Sequence, residues 1–402
     1  IFLPPVPLKC SDVLLQRGAA KLGVKVIHVR KATLSRPKFG RPACHYCGNC
    51  MAGCDVVAKY NSYDTQIIPA IRQTGKLTLV TDTIAREVLI SPENKVTGVA
   101  TIDRLTKKTG EVRGKSVIVA CACVQSVALL QMSKSRLYPD GLANSSGQLG
   151  KHFIPHFTGG IQFFLEKLIG KPVNPGDEGF LDHAYQPSFM HARRRDYARS
   201  FGAQFGYQNR RAIGWARQLP GLGADFKKSV KDHFPAFVVW SPYGEKIPDG
   251  KSEITLDYSK PDTWGLPDAR RTLVWSDNDM KIFRNMTDWG KQIIEASGGR
   301  ILSVSEQPQP NHELGGARMG SNPKTSVVDA FCRAHDVPNL YVVDGSVFPS
   351  ASEKNPTHTI MALAARMRIE TTVEQMPLAQ ANTALERLRS GALGRGPLSS
   401  GP

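Results

Sequence analysis

The stretch SVIVACACVQSVALLQMS, residues 116–133, carries the fold. Its first half is a short apolar run without polar alternation, and its second half has the composition of a helix. A buried strand feeding directly into a helix is the unit of an open α/β sheet. Upstream, LTLVTDTIAREVLI (77–90) and KVTGVATIDRL (95–105) are β-branched runs separated by turn residues such as Pro92-Glu93-Asn94. Nearer the start, an amphipathic helix is expected over Ser11 to Leu22, and a second from about Asp64 to Gln73, with Pro69 near its first turns. Downstream, residues 151–275 are richer in Gly, Pro and aromatics. Candidate strands there include AFVVW (236–240) and SEITLDY (252–258), which reads as a mostly antiparallel second domain. SDNDMKIFRNMTDWGKQIIEA (276–296) has Ser276 as a helix N-cap and ends before Gly298-Gly299. The class is α/β, α+β overall.

Composition bounds the function. At 402 residues, with 41% hydrophobic and 22% charged residues, the chain can bury a sizeable core. No run of about 18 apolar residues is present, so no spanning helix is expected. IFLPPVPLKC at the front has neither a charged n-region nor a long apolar one, and reads as the interior of a longer protein. Lys+Arg 52 against Asp+Glu 35 gives a net charge of +17. The basic residues are scattered, as in RKATLSRPKFGR (30–41) and HARRRDYARS (191–200), without a stacking pattern of aromatics. That favours a solvated basic surface, or a docking face for an acidic electron acceptor, over nucleic-acid binding.

Cysteine usage is uneven. Cys44, Cys47, Cys50 and Cys54 share the spacing C-x2-C-x2-C-x3-C, the run that wraps a bacterial-type iron–sulfur cluster. Asp55 stands where proline usually follows. The competing reading is a set of thiols, or a disulfide pair, pinning a loop. In NHELGGARMG (311–320), His312 is either a base or a histidine satisfied by a local hydrogen bond. LYVVDGS (340–346) places Asp344 and Gly345 at a strand's carboxyl end, where a carboxylate commonly reaches a ligand sugar or diphosphate. NPTHTI (355–360) opens a helix, with Asn355, Pro356 and Thr357 at the end whose free N–H groups favour negative charge.

In combination these segments resemble the glucose–methanol–choline (GMC) family of FAD-dependent oxidoreductases. HELGGARMG (312–320), SVVD (326–329), PNLYVVDGSVFPS (338–350) and NPTHTIMALAAR (355–366) match in order and spacing. LDYSKPDTWGLP (256–267), LANSSGQLGKHF (142–153) and residues 117–133 extend the match. The last of these carries Cys121-Ala122 and Gln125-Ser126 where the family has glycine-alanine and glutamate-serine. The resemblance implies FAD as cofactor and oxidation of a CH–OH group of a small alcohol or sugar. His312 would take the hydroxyl proton while hydride passes to the flavin, and Asn355 would hydrogen-bond the substrate oxygen. His358 would then be a packing or supporting residue and His335 structural. Asp344, Gly345, Asn355, Pro356 and Thr357 are the expected FAD contacts. The cysteine run resembles the gluconate and sugar dehydrogenase branch, some members of which pass electrons through a cluster to a cytochrome partner and are typically exported.

One element of the resemblance is not in the sequence. No G-x-G-x-x-G follows a strand anywhere in the 402 residues. The expected organisation is therefore an incomplete Rossmann-like FAD domain over residues 1–150, with the cysteine loop at 44–54. A substrate-binding domain over 151–310 follows, then a segment over 311–370 returning to the FAD domain, and a disordered tail over 371–402. A second function class stays open beside the enzyme: a truncated, inactive remnant, or a module binding a cluster through its thiols.

Overall fold

A computed structural model describes residues 2–48, 50, 53–173, 182–188, 196–206 and 213–367. The expected tail at 371–402 and the first half of the basic run at 191–200 lie outside these residues. In chain order the elements are α1 (Cys10–Lys21), β1 (Ile27–His28), α2 (Ile68–Thr74), β2 (Thr83–Ile90), β3 (Val96–Asp103), β4 (Thr109–Arg113), β5 (Val117–Val119), α3 (Cys123–Met132), β6 (His156–Thr158), β7 (Ile161–Leu165) and β8 (Asp182–Gln186). They continue as β9 (Phe201–Gly206), α4 (Gly223–His233), β10 (Phe237–Gly244), β11 (Glu253–Asp257), β12 (Asp268–Thr272), α5 (Asp277–Ala296), β13 (Gly299–Val304), β14 (Gln309–Asn311), β15 (Leu340–Val342) and α6 (Thr357–Ala365).

The opening stretch folds as expected. β5 runs straight into α3 through Ala122, whose φ of 66° turns the chain sharply at the helix start. β5 pairs in parallel with β15, Val119 opposite Val342. Against this pair pack α3, through Val127, Leu129 and Leu130, and the segments holding Phe153, Ile154 and Leu314. The three-stranded antiparallel sheet β2–β3–β4 adjoins the same core. Residues 77–80 are not a strand as expected: Leu77, Leu79 and Val80 are exposed, and pairing begins only at Thr83, where Asp103 of β3 faces it. Pro69 is accommodated by a wide π-turn over Tyr63–Ile67 that leads into α2.

The second layer is an eight-stranded antiparallel sheet with β1-β8-β9-β10-β6-β14 as its main order. β7 bridges β10 and β13 beside that path. One face is apolar. Ala184, Ala203, Phe205, Val238 and Trp240 point into a core with Leu15 and Ala19 of α1 and Ile293 and Ile294 of α5. α5 earns its place by sequence: Ser276 and Asp279 form a reciprocal capping box, and Ile282, Met286, Gly290 and Ile293 recur at helical spacing on the buried side. Gly290 is required because a Cβ there would meet Trp240 Nε1 at 2.6 Å. Residues 10–28, which precede the cysteine loop, thus pack on this sheet. Lys246, just beyond β10, is fully buried and bonds Asp249 at 3.0 Å, Asp279 at 3.3 Å and the Val274 carbonyl at 2.7 Å, tying the sheet to the start of α5.

Candidate active site

Strand register determines the opposite face of the large sheet. Tyr185 lies across from Gln204, and Tyr243 across from both Gly202 and Thr158. His156 is two residues from Thr158, and its strand neighbour is Asn311. Because side chains alternate along a strand and cross-strand partners share a face, Tyr185, Gln204, Tyr243 and His156 all project to the same side. The chain after β14 turns over that side at His312, held at φ 47°. The segment 351–355 lies across it as well.

These two passes bring His312 and Asn355 together. Asn355 Nδ2 lies 3.1 Å from His312 Nε2. His312 Nδ1 lies 3.0 Å from His156 Nδ1, the two rings meeting edge to face, and Tyr243 packs on His312 at 4.9 Å between centroids. Gln204 Nε2 donates to Asn355 Oδ1 at 2.5 Å. Two residues earlier in the same segment, Glu353 accepts from the Tyr185 hydroxyl, and Lys354 Nζ stands 3.6 Å above the Tyr185 ring. Gly202 leaves room for this crossing, since a Cβ there would meet Glu353 Cγ at 2.6 Å.

The electrostatics follow from burial. His312 is pushed down to about 4, first by burial, then by His156 and Lys354. His156 is fully buried and also pushed down to about 4, opposed in part by the Ser352 backbone carbonyl. Both rings are therefore neutral at neutral pH. Glu245, at the end of β10, is pushed up to about 7 by burial and by Glu353, against the pull of Arg199. Burial and its bond to Glu353 raise Tyr185.

Other expected residues fall in different places. Asp344 does not face open space: it is buried and accepts from Ser126 Oγ, Ser346 N and Ser346 Oγ, capping a single helical turn. Gly345 is needed by the chain itself, because a Cβ would lie 2.6 Å from the Glu313 carbonyl. Pro356 takes the N-cap of α6, and Asn355 makes no cap bond because its amide is engaged by Gln204 and His312. Thr357 and His358 are exposed on the first turn of α6. His335 bonds Ser326 Oγ at 2.9 Å and the Gly320 carbonyl at 3.1 Å, a structural role. The sequence reading missed His156, Tyr185, Gln204, Tyr243, Glu245 and Glu353. Only His156 had a local signal, a histidine inside a short apolar run.

The four cysteines of the run, Cys44, Cys47, Cys50 and Cys54, line one small cavity with Thr33, His45, Gly53, Val56 and Lys59. None of the eight cysteines is joined in a disulfide, so no disulfide pins this loop. Cys50 is raised by burial and by Cys44, Cys47 and Cys54, three potential negative charges around one sulfur. The ligand atoms of His45, Cys47 and Asp55 lie within 4.8 Å of one another.

Two family models match the chain, the N-terminal GMC oxidoreductase model over residues 8–157 and the C-terminal one over residues 248–364. The chain belongs to the GMC oxidoreductase family. GMC oxidoreductases bind FAD and act on CH–OH groups of alcohols and sugars. Among relatives, 2-methyl-1,2-propanediol dehydrogenase of Mycolicibacterium austroafricanum is 33% identical, with 83% of this chain and 61% of that protein covered. The fructose dehydrogenase large subunit of Gluconobacter japonicus is 26% identical, covering 90% and 65%, and paromamine 6'-oxidase of Streptomyces fradiae is 27% identical, covering 90% and 64%. The chain thus spans between 61% and 65% of the length of these relatives. In fold it is similar to pyridoxine 4-oxidase from Mesorbium loti, with a TM-score of 0.60 at 18% identity over 90% of this chain and 69% of that one. No helix among the described residues is long and apolar enough to cross a membrane.

The residues present fit one end of the family's cofactor. Asn355, Pro356 and Thr357 open α6 beside His312, and none of the α6 side chains is buried. A planar ring would find there a helix start and a hydrogen-bonding pair. No glycine-rich strand–turn–helix for a diphosphate occurs in the sequence.

Proposed function

We propose that this chain carries the substrate side of an FAD-dependent oxidoreductase that converts a CH–OH group of a small alcohol or sugar to a carbonyl. The observation that carries the proposal is the pair His312 Nε2 and Asn355 Nδ2, 3.1 Å apart with the imidazole held neutral. A substrate hydroxyl that takes the place of this direct contact would donate to the ring nitrogen and accept from the amide. Bound FAD would supply the hydride acceptor, with Asn355, Pro356 and Thr357 at its ring edge. A base near 4 is weak toward a resting alcohol. It suffices once the carbon begins to lose hydride, because the oxygen then becomes that of a protonated carbonyl, a strong acid. A base positioned in this way contributes about 10²- to 10⁴-fold in rate.

The names of the relatives, acting on a branched diol, a ketose and an aminoglycoside, support a polyhydroxylated substrate. The convergence of Cys44, Cys47, Cys50 and Cys54 on one cavity supports an iron–sulfur cluster feeding electrons to a cytochrome or other acceptor. The test is the absorption spectrum of the anaerobically purified chain before and after adding FAD, followed by a panel of diols and sugars. Flavin bands that bleach with a polyol, and do not bleach in His312→Ala, are the expected result. A colourless chain that ignores FAD would leave the remnant reading standing. Iron and zinc analysis with EPR decides the thiol cavity, a single zinc pointing instead to His45, Cys47 and Asp55.

A further inference from the structure

The basic stretch RKATLSRPKFGR (30–41) takes no part in the site on the large sheet, and the structure gives it a distinct shape. It runs into a narrow loop closed at its base by Cys44 N, which donates to the Leu34 carbonyl at 2.9 Å. The base is anchored in turn: Leu34 N bonds the Ala58 carbonyl at 3.0 Å, and Ser35 Oγ donates to the Pro4 carbonyl. At the tip, Lys38 and Arg41 exchange both backbone bonds at 3.0 Å, so Phe39 and Gly40 form a two-residue turn. Both have positive φ, 53° and 71°. Asn or Gly takes the first of these positions readily, whereas a bulky side chain is strained there. Phe39 gains no burial in return, being 84% exposed. Strain kept without burial serves nothing in the fold itself.

The charges around this tip have one sign. No acidic residue occurs between Asp12 and Asp55, while residues 30–41 hold Arg30, Lys31, Arg36, Lys38 and Arg41. Among the described residues Arg30, Arg36, Lys38 and Arg41 have no carboxylate partner. Two of them instead stand over exposed rings. Lys38 Nζ is 5.0 Å from the centroid of Phe39, and the Arg30 guanidinium is 4.4 Å from that of Phe2, itself 68% exposed. The Ser35–Pro4 bond holds the Phe2 segment beside the loop. A protein partner would need a contiguous apolar centre within a face of about 800 Å². Here the apolar groups are single rings, each beside a cation. Lipid phosphates with apolar chains beneath them accommodate that form. We propose that the 34–44 loop docks this protein on an anionic bilayer, Phe39 entering the headgroup layer while Arg30, Arg36, Lys38 and Arg41 meet lipid phosphates. The docking uses no residue of the His312–Asn355 site and stands apart from the flavin chemistry proposed above.

Sedimentation of the full chain with vesicles tests this, phosphatidylcholine alone against phosphatidylcholine with about one third phosphatidylglycerol. The expected result is binding to the anionic vesicles only, weakened by salt. Phe39→Asn places in the turn a residue that tolerates positive φ, so thermal stability should hold or rise while vesicle partition falls about tenfold. Lys38→Gln should lower partition about fivefold. In Phe39→Trp, an emission blue-shift on the same vesicles, measured against the unsubstituted chain, is the expected sign of a ring entering the bilayer. No binding to the anionic vesicles would overturn the proposal, as would binding that Phe39→Asn leaves unchanged. An emission in Phe39→Trp that shifts with polyglutamate but not with vesicles would assign the surface to an acidic protein, and would overturn it as well.

Discussion

The eight-stranded sheet and the parallel pair β5–β15 are finished to different degrees. On the sheet, Trp240, Phe163 and Phe205 are completely buried under two helices, and even the polar face is covered by the 351–355 segment. On the parallel pair, Val117 and Val119 face a core while Ile118, between them, is 46% exposed. Parallel strands are ordinarily covered on both faces. α6 repeats the contrast: it is strongly apolar, yet none of its side chains is buried. The sheet therefore holds both the stability of this chain and the machinery that orients His312. The parallel pair and α6 are elements that do not close on themselves.

Mutations should separate the two regions by size of effect. Trp240→Ala removes a side chain packed against Phe205 at 4.8 Å and over Gly290, and should cost about 3–5 kcal/mol in urea unfolding. A loss below about 1 kcal/mol would break the claim that the sheet carries the stability.

The polar face makes a prediction in pH. His156 falls from 6.5 to about 4 on folding, so its contribution is present above the unfolded value and is lost as pH falls toward 4, about 3 kcal/mol in all. Glu245 rises from 4.5 to about 7, so its native state keeps a proton that the unfolded chain has released, and stability falls as pH rises between those values. The slopes oppose one another across the same window. Glu245→Gln should leave the histidine slope alone, giving stability that rises with pH from about 4 to 6.5 and a more stable protein at neutral pH. An unchanged pH–stability curve in this variant would place Glu245 outside the buried cluster.

The smallest effect is expected on the open side. Ile118→Ser should change stability by less than about 0.5 kcal/mol, because the side chain is already half in water. A cost comparable with that of Trp240→Ala would mean that this strand face is covered in solution.

How much of this was legible from sequence depends on the range of the contacts. The capping box at Ser276 and Asp279 spans three residues, and the strand–turn–helix at 117–132 is continuous, so both could be read directly. The cysteine run is equally local: its spacing marked the four thiols as a group, and they line one cavity. The family resemblance grouped His312 and Asn355, and the structure brings them to 3.1 Å of one another. Their supports were not legible: Gln204 reaches Asn355 across 151 positions, and Tyr185 reaches Glu353 across 168. Such partners are chosen by strand register, which no local pattern around Tyr185 or Gln204 specifies. Asp344 had the right neighbours for a ligand contact and became a cap instead, because Ser126 and Ser346 lie within reach of its oxygens.

Gly202 has no side chain, and that absence acts as a ruler. Its single hydrogen lets Glu353 lie close against the strand, with the Tyr185 hydroxyl beside it, and this sets the height at which the 351–355 segment crosses the sheet. Asn355 hangs two residues further along that segment, so the distance at which it meets His312 is gauged by one missing methyl group.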